Sequence, residues 1–545
     1  MIAYFAAAIS LVVTPWFNKE SITIPKFILL TIVTSYLVPS LFQENKLLIK
    51  SKTIKVVLIL QFLIIVQLVL VVAISPAPLE QQIFGRSGRL LGFITYLCLI
   101  ILFIASIRYI NILKNMFILK TFTLVGCIIA IYAIMQSFGF DFMRWDTRTN
   151  AVISTLGNPN FVSAFIAAAT LPASLIMQSK LSGRLFVPVF VFVISLFAIY
   201  RTDSIQGFIA LLVAISTYGI VYCFFLFRKY FMFLVSSILG VFAFVLSGTL
   251  GHGILSSYLY KVSIQSRGDF WRSAVNMAND NPFFGVGLDS FGDNYLRYRD
   301  QKAANHPFAE FTDSAHNYLL DYASQGGFPL LVLNLMTYIA VVTAFMCTLR
   351  KIGRFDKNLV VTFSVWLAFQ ATFLVSPIST PLMAWSVILA GAIIGTLLYE
   401  NESPRTNPFN GGSRQSFSLV ELVRLILVFI TALAVLPLYR TDTIFLESLK
   451  SSNGNLGLKV IDMFPRSTSK YFTVGKLFWE SGENQYSLEV ARKAIEFNSK
   501  SINAWGLILV NPLASYDERL GARSKILELD PFNKEVPNYQ IIPSD

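Results

Sequence analysis

Runs of roughly twenty apolar residues recur along this chain of 545 residues, each parted from the next by a short polar segment. A hydrocarbon core about 30 Å thick takes ~20 residues of helix to cross. In lipid, every backbone N–H and C=O must also find its partner within the spanning structure. The pattern therefore points to a polytopic, all-α membrane protein. Thirteen spans are expected, centred near residues 9, 33, 65, 97, 126, 168, 193, 216, 240, 338, 367, 390 and 431. Composition agrees: 55% of residues are hydrophobic and 14% charged, and mean hydropathy is +0.62, outside the soluble class. The first stretch, MIAYFAAAISLVVTPW, lacks the basic n-region and small-residue cleavage site of a secretory signal and reads as the first span.

A formal charge of +13 invites a nucleic-acid partner. The basic residues instead cluster in alternate connections: Lys46, Lys50, Lys52 and Lys55; Arg108 and Lys114; Lys180 and Arg184; Arg228 and Lys229; Arg350, Lys351, Arg354 and Lys357; Arg405 and Arg414. The positive-inside rule makes these connections cytoplasmic, so no nucleic-acid partner is inferred. The phase places the N-terminus inside and the C-terminus outside. It divides the chain into about nine spans over residues 1–250, a large extracytoplasmic loop over 251–326, about four further spans over 327–438, and an extracytoplasmic tail over 439–545. The four cysteines, Cys98, Cys127, Cys223 and Cys347, all fall in apolar runs and read as packing residues. In the tail, IDMFP (461–465), IEFNS (495–499) and LELDP (527–531) recur at intervals near the ~34-residue tetratricopeptide period, each closing a helix-like stretch. Ala491 and Ala494 fit small positions between paired helices. A short helical-hairpin solenoid is expected, either a binding surface for a protein partner or a helical cap.

Chemistry concentrates in the large loop. The chain has three histidines, His252, His306 and His316, and all lie there. Residues 266–292 read SRGDFWRSAVNMANDNPFFGVGLDSFG. Arg267 and Trp271 are four apart and share a helical face. Pro282 ends that helix, and Gly285 and Gly287 permit a close backbone approach. FTDSAHNYLLDYASQGG (311–327) then leads into the next span, with Gly326 and Gly327 expected to let the chain turn into it.

This order of residues resembles the O-antigen ligase/polymerase family. The resemblance rests on Arg267 and Trp271; on Asn281, Pro282, Gly285, Gly287 and Phe291; on Ala315, His316 and Asn317; and on Gly326 and Gly327. GNPNFVSAFI (157–166) and FGRSGRLLGF (84–93) are also similar to that family, so the likeness covers most of residues 80–400. It implies a metal-independent, inverting glycosyltransferase with a GT-C-like membrane fold and no cofactor. The donor it implies is a glycan on undecaprenyl diphosphate at the outer leaflet of the bacterial inner membrane. The acceptor would be a lipid, a glycan or a protein hydroxyl. Many relatives carry an arginine where this chain reads RTDSIQGF (201–208), which leaves Arg201 or Gln206 to make that phosphate contact.

The residue types suit this chemistry on physical grounds. Transfer from a lipid diphosphate needs a base near the acceptor hydroxyl and cations for the departing diphosphate. Histidine fits the first task near neutral pH, and arginine's planar fork fits the second. His316 is accordingly the catalytic candidate, as base or acceptor-orienting group, against a plain helix-capping role. Arg267 is the first candidate for the diphosphate, against an ion pair with Asp269 or Asp280. Arg86 and Arg89 face either diphosphate or lipid head groups. Asn158 and Asn160 either bind substrate or cap a helix. Trp271 stacks on a sugar or anchors the loop, and Asn317 is a weaker acceptor-side candidate. A rival metal site is His306, Glu310, Asp313 and His316, whose spacing of four, three and three would align them on one helical face. Among other function classes, a lipid-linked glycan transporter or flippase would be expected to show inverted repeats, and none is visible. A scaffold or sensor docking through its tail is the third class.

Overall fold

A computed structural model of the protein describes residues 1–42, 51–143, 145, 151–180, 186–259, 262–306, 311–398 and 419–541. Among them all regular structure is helical. Each of the thirteen expected spans falls on a helix, and nine of these are long and apolar enough to cross a membrane. The other four, Ile2–Leu11, Phe93–Tyr109, Phe186–Arg201 and Lys357–Phe373, hold 10, 17, 16 and 17 residues. The protein is a multi-pass membrane protein. Four of its long helices begin at a side-chain cap: Ser51, Ser204, Asn317 and Asp356 each accept a backbone N–H of the first turn.

Lipid offers helices no hydrophobic reason to associate, so close packing has to hold them. Small residues make it possible. Ala164, Ala167 and Ala168 of Pro159–Lys180, and Ala210 and Ala214 of Ile205–Leu226, are all buried where those two helices pack. Gly391 and Gly395 let Thr380–Gly395 approach the backbone of Phe93–Tyr109, since a methyl at either would meet a carbonyl oxygen at 2.4–2.6 Å. Around these contacts Phe122 packs between Phe165 and Trp385, with both ring centroids 4.9 Å away. At the periphery, Phe231–Thr249 and Leu419–Ser451 bury few of their apolar residues inside the protein. Their exposed faces suit lipid.

The stretch Tyr318–Ile352 is two helices joined at a kink, and the kink is Gly327, at φ 78° and ψ 169°, where the chain turns into the apolar run as the glycine pair leads one to expect. The break also allows a backbone contact. Val286 N donates to Ser324 O (2.8 Å), and Phe328 N to Pro282 O (2.8 Å). Gln67 Nε2 seals the join on Phe283 O (2.6 Å) and Gly326 O (2.9 Å). A Cβ at Gly327 would sit 2.4 Å from the Phe283 carbonyl. Gly327→Ala is therefore expected to cost at least about 2 kcal/mol, from the left-handed backbone and the overlap together. A fall in Tm of the detergent-solubilised protein checks it.

Beyond residue 451 the chain forms the helices Gly454–Ile461, Thr468–Glu480, Asn484–Phe497, Ile502–Val510 and Tyr516–Leu529, each packed on the next. Each of the three sequence echoes spans the end of a helix, and Ala491 and Ala494 are buried between helices. This tail folds back onto the loop that follows Pro282. Arg299 pairs with Asp530 through two contacts of 2.8 and 2.9 Å, and Lys500 Nζ donates to Asn294 Oδ1 (2.9 Å). Arg466 pairs with Glu80 at 2.7 Å.

Candidate active site

Connections at one end of the bundle gather to enclose a cleft of about 470 Å³. Lys19 and Lys26, Arg89, Asn158, Asp313 and His316 are among its lining residues. Lys26 stands in the helix Thr23–Leu41; the others come from the connections after Ile2–Leu11, Leu79–Phe84 and Phe117–Ser137, and from the segment before Tyr318. Of the three histidines, His316 lines the cleft and the other two do not.

The His316 turn is over-determined. Ser and Thr side chains readily bond nearby backbone: Thr312 Oγ1 donates to Ser314 O (2.7 Å), and His316 N donates to Ser314 Oγ (3.0 Å). Asp321, 2% exposed, accepts Ser314 Oγ on Oδ2 (2.9 Å), and Ala315 N (2.9 Å) and Gln325 Nε2 (3.0 Å) on Oδ1. These bonds hold His316 at φ 53°, which costs a non-glycine residue roughly 1–2 kcal/mol. The imidazole ring lies 5.4 Å from the Phe270 ring, centroid to centroid. Burial, then the positive charge of Arg267, lower its pKa to about 4, with Asp313 opposing and Arg89 adding to the shift. The ring is thus neutral at pH 7 and able to accept a proton. The helix is capped not by His316 but by Asn317, whose Oδ1 accepts Leu319 N (3.0 Å) and Leu320 N (3.3 Å).

The arginines divide into two kinds. Arg89, with a side chain 10% exposed, ion-pairs with Asp289 (3.3 Å) and Asp313 (3.1 Å) and donates to Asp313 O (2.6 Å). Asp289 also accepts Arg86 N (2.7 Å) and Leu91 N (3.1 Å), closing the GRSGR loop. Arg86 pairs with Asp293 at 3.1 Å and lies over the Phe311 ring. Burial works against ionisation of both Asp289 and Asp313. The Asp289 carboxyl still ends above its ordinary range, whereas Arg89, then Arg86, bring Asp313 below it. Arg86 and Arg89 therefore clamp three segments together with their charge already met by carboxylates.

Arg267 reaches a different segment. Asp269 pairs with Arg272 (2.6 Å), and Arg267 Nε donates to Val375 O (2.8 Å). Gln206 Nε2 reaches the same carbonyl (3.2 Å), so the structure joins these two candidates although 61 positions separate 206 from 267. Gln206 Oε1, Ser376 Oγ and Trp271 Nε1 are buried with no hydrogen-bond partner among the described residues. Arg201 lies elsewhere, donating to Ser137 O and sitting over the Phe138 ring. Asn160 Oδ1 accepts Ser204 Oγ (2.7 Å), and Asn158 Oδ1 accepts Asn160 N (2.9 Å), both at helix starts.

The rival metal arrangement does not form as expected. The helix Gln301–Ala304 ends before His306, and residues 311–317 are not helical, so Asp313 and His316 share no helical face with His306. Glu310 lies outside the described residues. Among those described, no three His, Cys, Asp or Glu side chains are grouped to hold a metal ion.

Three residues escaped the sequence reading. Asp289 and Asp321 looked like ordinary loop and helix-start acids. Lys26 carried a usable signal: it is an ionisable residue inside the apolar run IPKFILL, a functional candidate by default.

No curated protein matches this chain. Residues 190–335 match a family model described as O-antigen ligase, an interval that contains Arg201, Gln206, Arg267, Trp271, His316 and Asn317. Over residues 190–335 this polytopic, all-α membrane protein is thus similar to the O-antigen ligase family that its loop residues resemble.

Proposed function

We propose that the protein transfers a glycan from an undecaprenyl-diphosphate carrier to an acceptor hydroxyl, with inversion and without a metal, at the outer face of the bacterial inner membrane. The observation that carries this reading is His316. It is a neutral base that lines a cleft, with Arg267 near enough to lower its pKa, at the bundle end opposite the connections read as cytoplasmic. His316 takes the acceptor's proton as the acceptor oxygen bonds to the anomeric carbon. The bond from that carbon to the diphosphate oxygen breaks on the opposite face, and its electron pair leaves with the diphosphate. Arg267 meets the developing charge, with Gln206 beside it. The unpartnered Gln206 Oε1, Ser376 Oγ and Trp271 Nε1 supply polar capacity for a sugar or phosphate in the same region. Arg89 and Arg86 hold the loops that carry this chemistry. Asn160, Asn317 and Arg201 act through structure. The division into membrane parts 1–250 and 327–438, a catalytic loop 251–326 and an extracytoplasmic tail 439–545 belongs to the same reading.

The tail, read as tetratricopeptide-like, sits against the loop beyond Pro282 and would present the acceptor or a protein partner to the cleft. Mass analysis of glycans and their carriers in a deletion strain tests the proposal. Loss of glycan from lipid marks a ligase, loss of long chains a polymerase, and loss from protein a protein glycosyltransferase. An unchanged glycan profile on all three carriers sinks it.

A further inference from the structure

Lys26 is the most deeply buried cation of the cleft, with 1% of its surface exposed. It stands in the first turn of Thr23–Leu41, and its Nζ donates to Ile9 O (3.0 Å) and Ser10 O (2.9 Å) at the end of Ile2–Leu11. No carboxylate among the described residues lies within ion-pairing distance of it. Arg89 differs in this respect, being met by Asp289 and Asp313, and Arg86 is met by Asp293.

Capping the helix Ile2–Leu11 does not account for a charge here. A cation at a helix C-terminus contributes roughly 0.3–2 kcal/mol, whereas burying one without a counter-ion costs several. A neutral donor would satisfy the same carbonyls, and Thr155 Oγ1 already donates to Ser10 O (3.0 Å). The ammonium has three N–H groups, and the two carbonyls use two of them. The carboxylates lining the cleft are engaged elsewhere. Asp313 holds Arg89, and Glu20 accepts from Thr23 Oγ1 (3.1 Å) and from Ser87 Oγ.

We infer that Lys26 is a binding residue of the cleft, giving its remaining N–H and its unmet charge to a phosphate of the lipid-linked donor. This rests on the donor reading above and adds a residue outside the 190–335 interval. The segment IPKFILL thereby joins the site from the far end of the chain.

The test is binding of undecaprenyl diphosphate, and of the uncharged undecaprenol, to the full-length protein in detergent micelles. The wild type is expected to prefer the diphosphate. Lys26→Gln keeps two N–H donors for the carbonyls but loses the charge. It should bind the diphosphate on the order of tenfold to a hundredfold more weakly and bind undecaprenol unchanged. If the Gln variant does not fold, as judged by its melting curve, Lys26→Met replaces it under the same criteria. Wild-type affinity for the diphosphate in a folded variant overturns the role of Lys26 and leaves the donor reading standing. A wild type that does not distinguish the two lipids overturns both.

Discussion

Replacing His316 with alanine is expected to lower glycan transfer by roughly 10²–10⁴-fold, the range for removing a positioned general base. The protein should still insert, and lipid-linked donor should accumulate behind the block. Near-normal transfer by the variant would remove His316 from the chemistry. The pH profile offers a second reading of the same residue. Burial and Arg267 hold the free imidazole near pKa 4. The acid limb of kcat/KM, which reports the free enzyme, is therefore expected near pH 4 rather than near the ordinary ~6.5. A diphosphate docked beside Arg267 offsets the positive charge that depresses this pKa, so the acid limb of kcat should lie higher. The sign for stability follows. The folded ring binds fewer protons than the unfolded one between these two values. Its share of stability is present above the unfolded pKa and is lost as pH falls toward 4. Coincident limbs for kcat and kcat/KM near 6.5 would contradict the electrostatic account.

Asp321→Asn is expected to produce the second-largest effect although Asp321 lines no part of the cleft. Its two oxygens accept from three donors, Ser314 Oγ, Ala315 N and Gln325 Nε2. An asparagine has one acceptor oxygen, so its NH₂ must face at least one donor. A buried donor left unpaired costs about 1–3 kcal/mol, and the loss falls on the turn that holds His316 at φ 53°. A fall in kcat of about tenfold or more is expected, with KM for the donor little changed, because a displaced base spoils geometry rather than binding. Wild-type kcat in a correctly inserted variant would show that the turn does not need this brace.

Much of this architecture was legible in the residues. Every expected span centre falls on a helix, because apolar run length and backbone satisfaction in lipid leave few alternatives. The helix stop at Asp280 and the close approach made at Gly285 and Gly287 were also readable. The turn at the glycine pair was legible too, but the neighbour that fixes it was not. Gly327 answers to Phe283, 44 positions earlier, and nothing local to FTDSAHNYLLDYASQGG reveals that neighbour. The four-three-three spacing of His306 to His316 misled for a related reason. It assumed a helix where Asp321 and the Ser and Thr side chains impose a turn.

The division of labour among the cations shows where sequence ends. Sequence alone determined a membrane-embedded all-α chain, one end of which concentrates the polar chemistry, because hydropathy and charge alternation act along the chain. Which cations are already compensated is a through-space property. Arg89 meets Asp289 across 200 positions, Arg267 meets Val375 across 108, and Lys26 meets carbonyls and no carboxylate among the described residues. Only the tertiary structure decides this, because Coulomb energy depends on distance and local dielectric rather than on order in the chain.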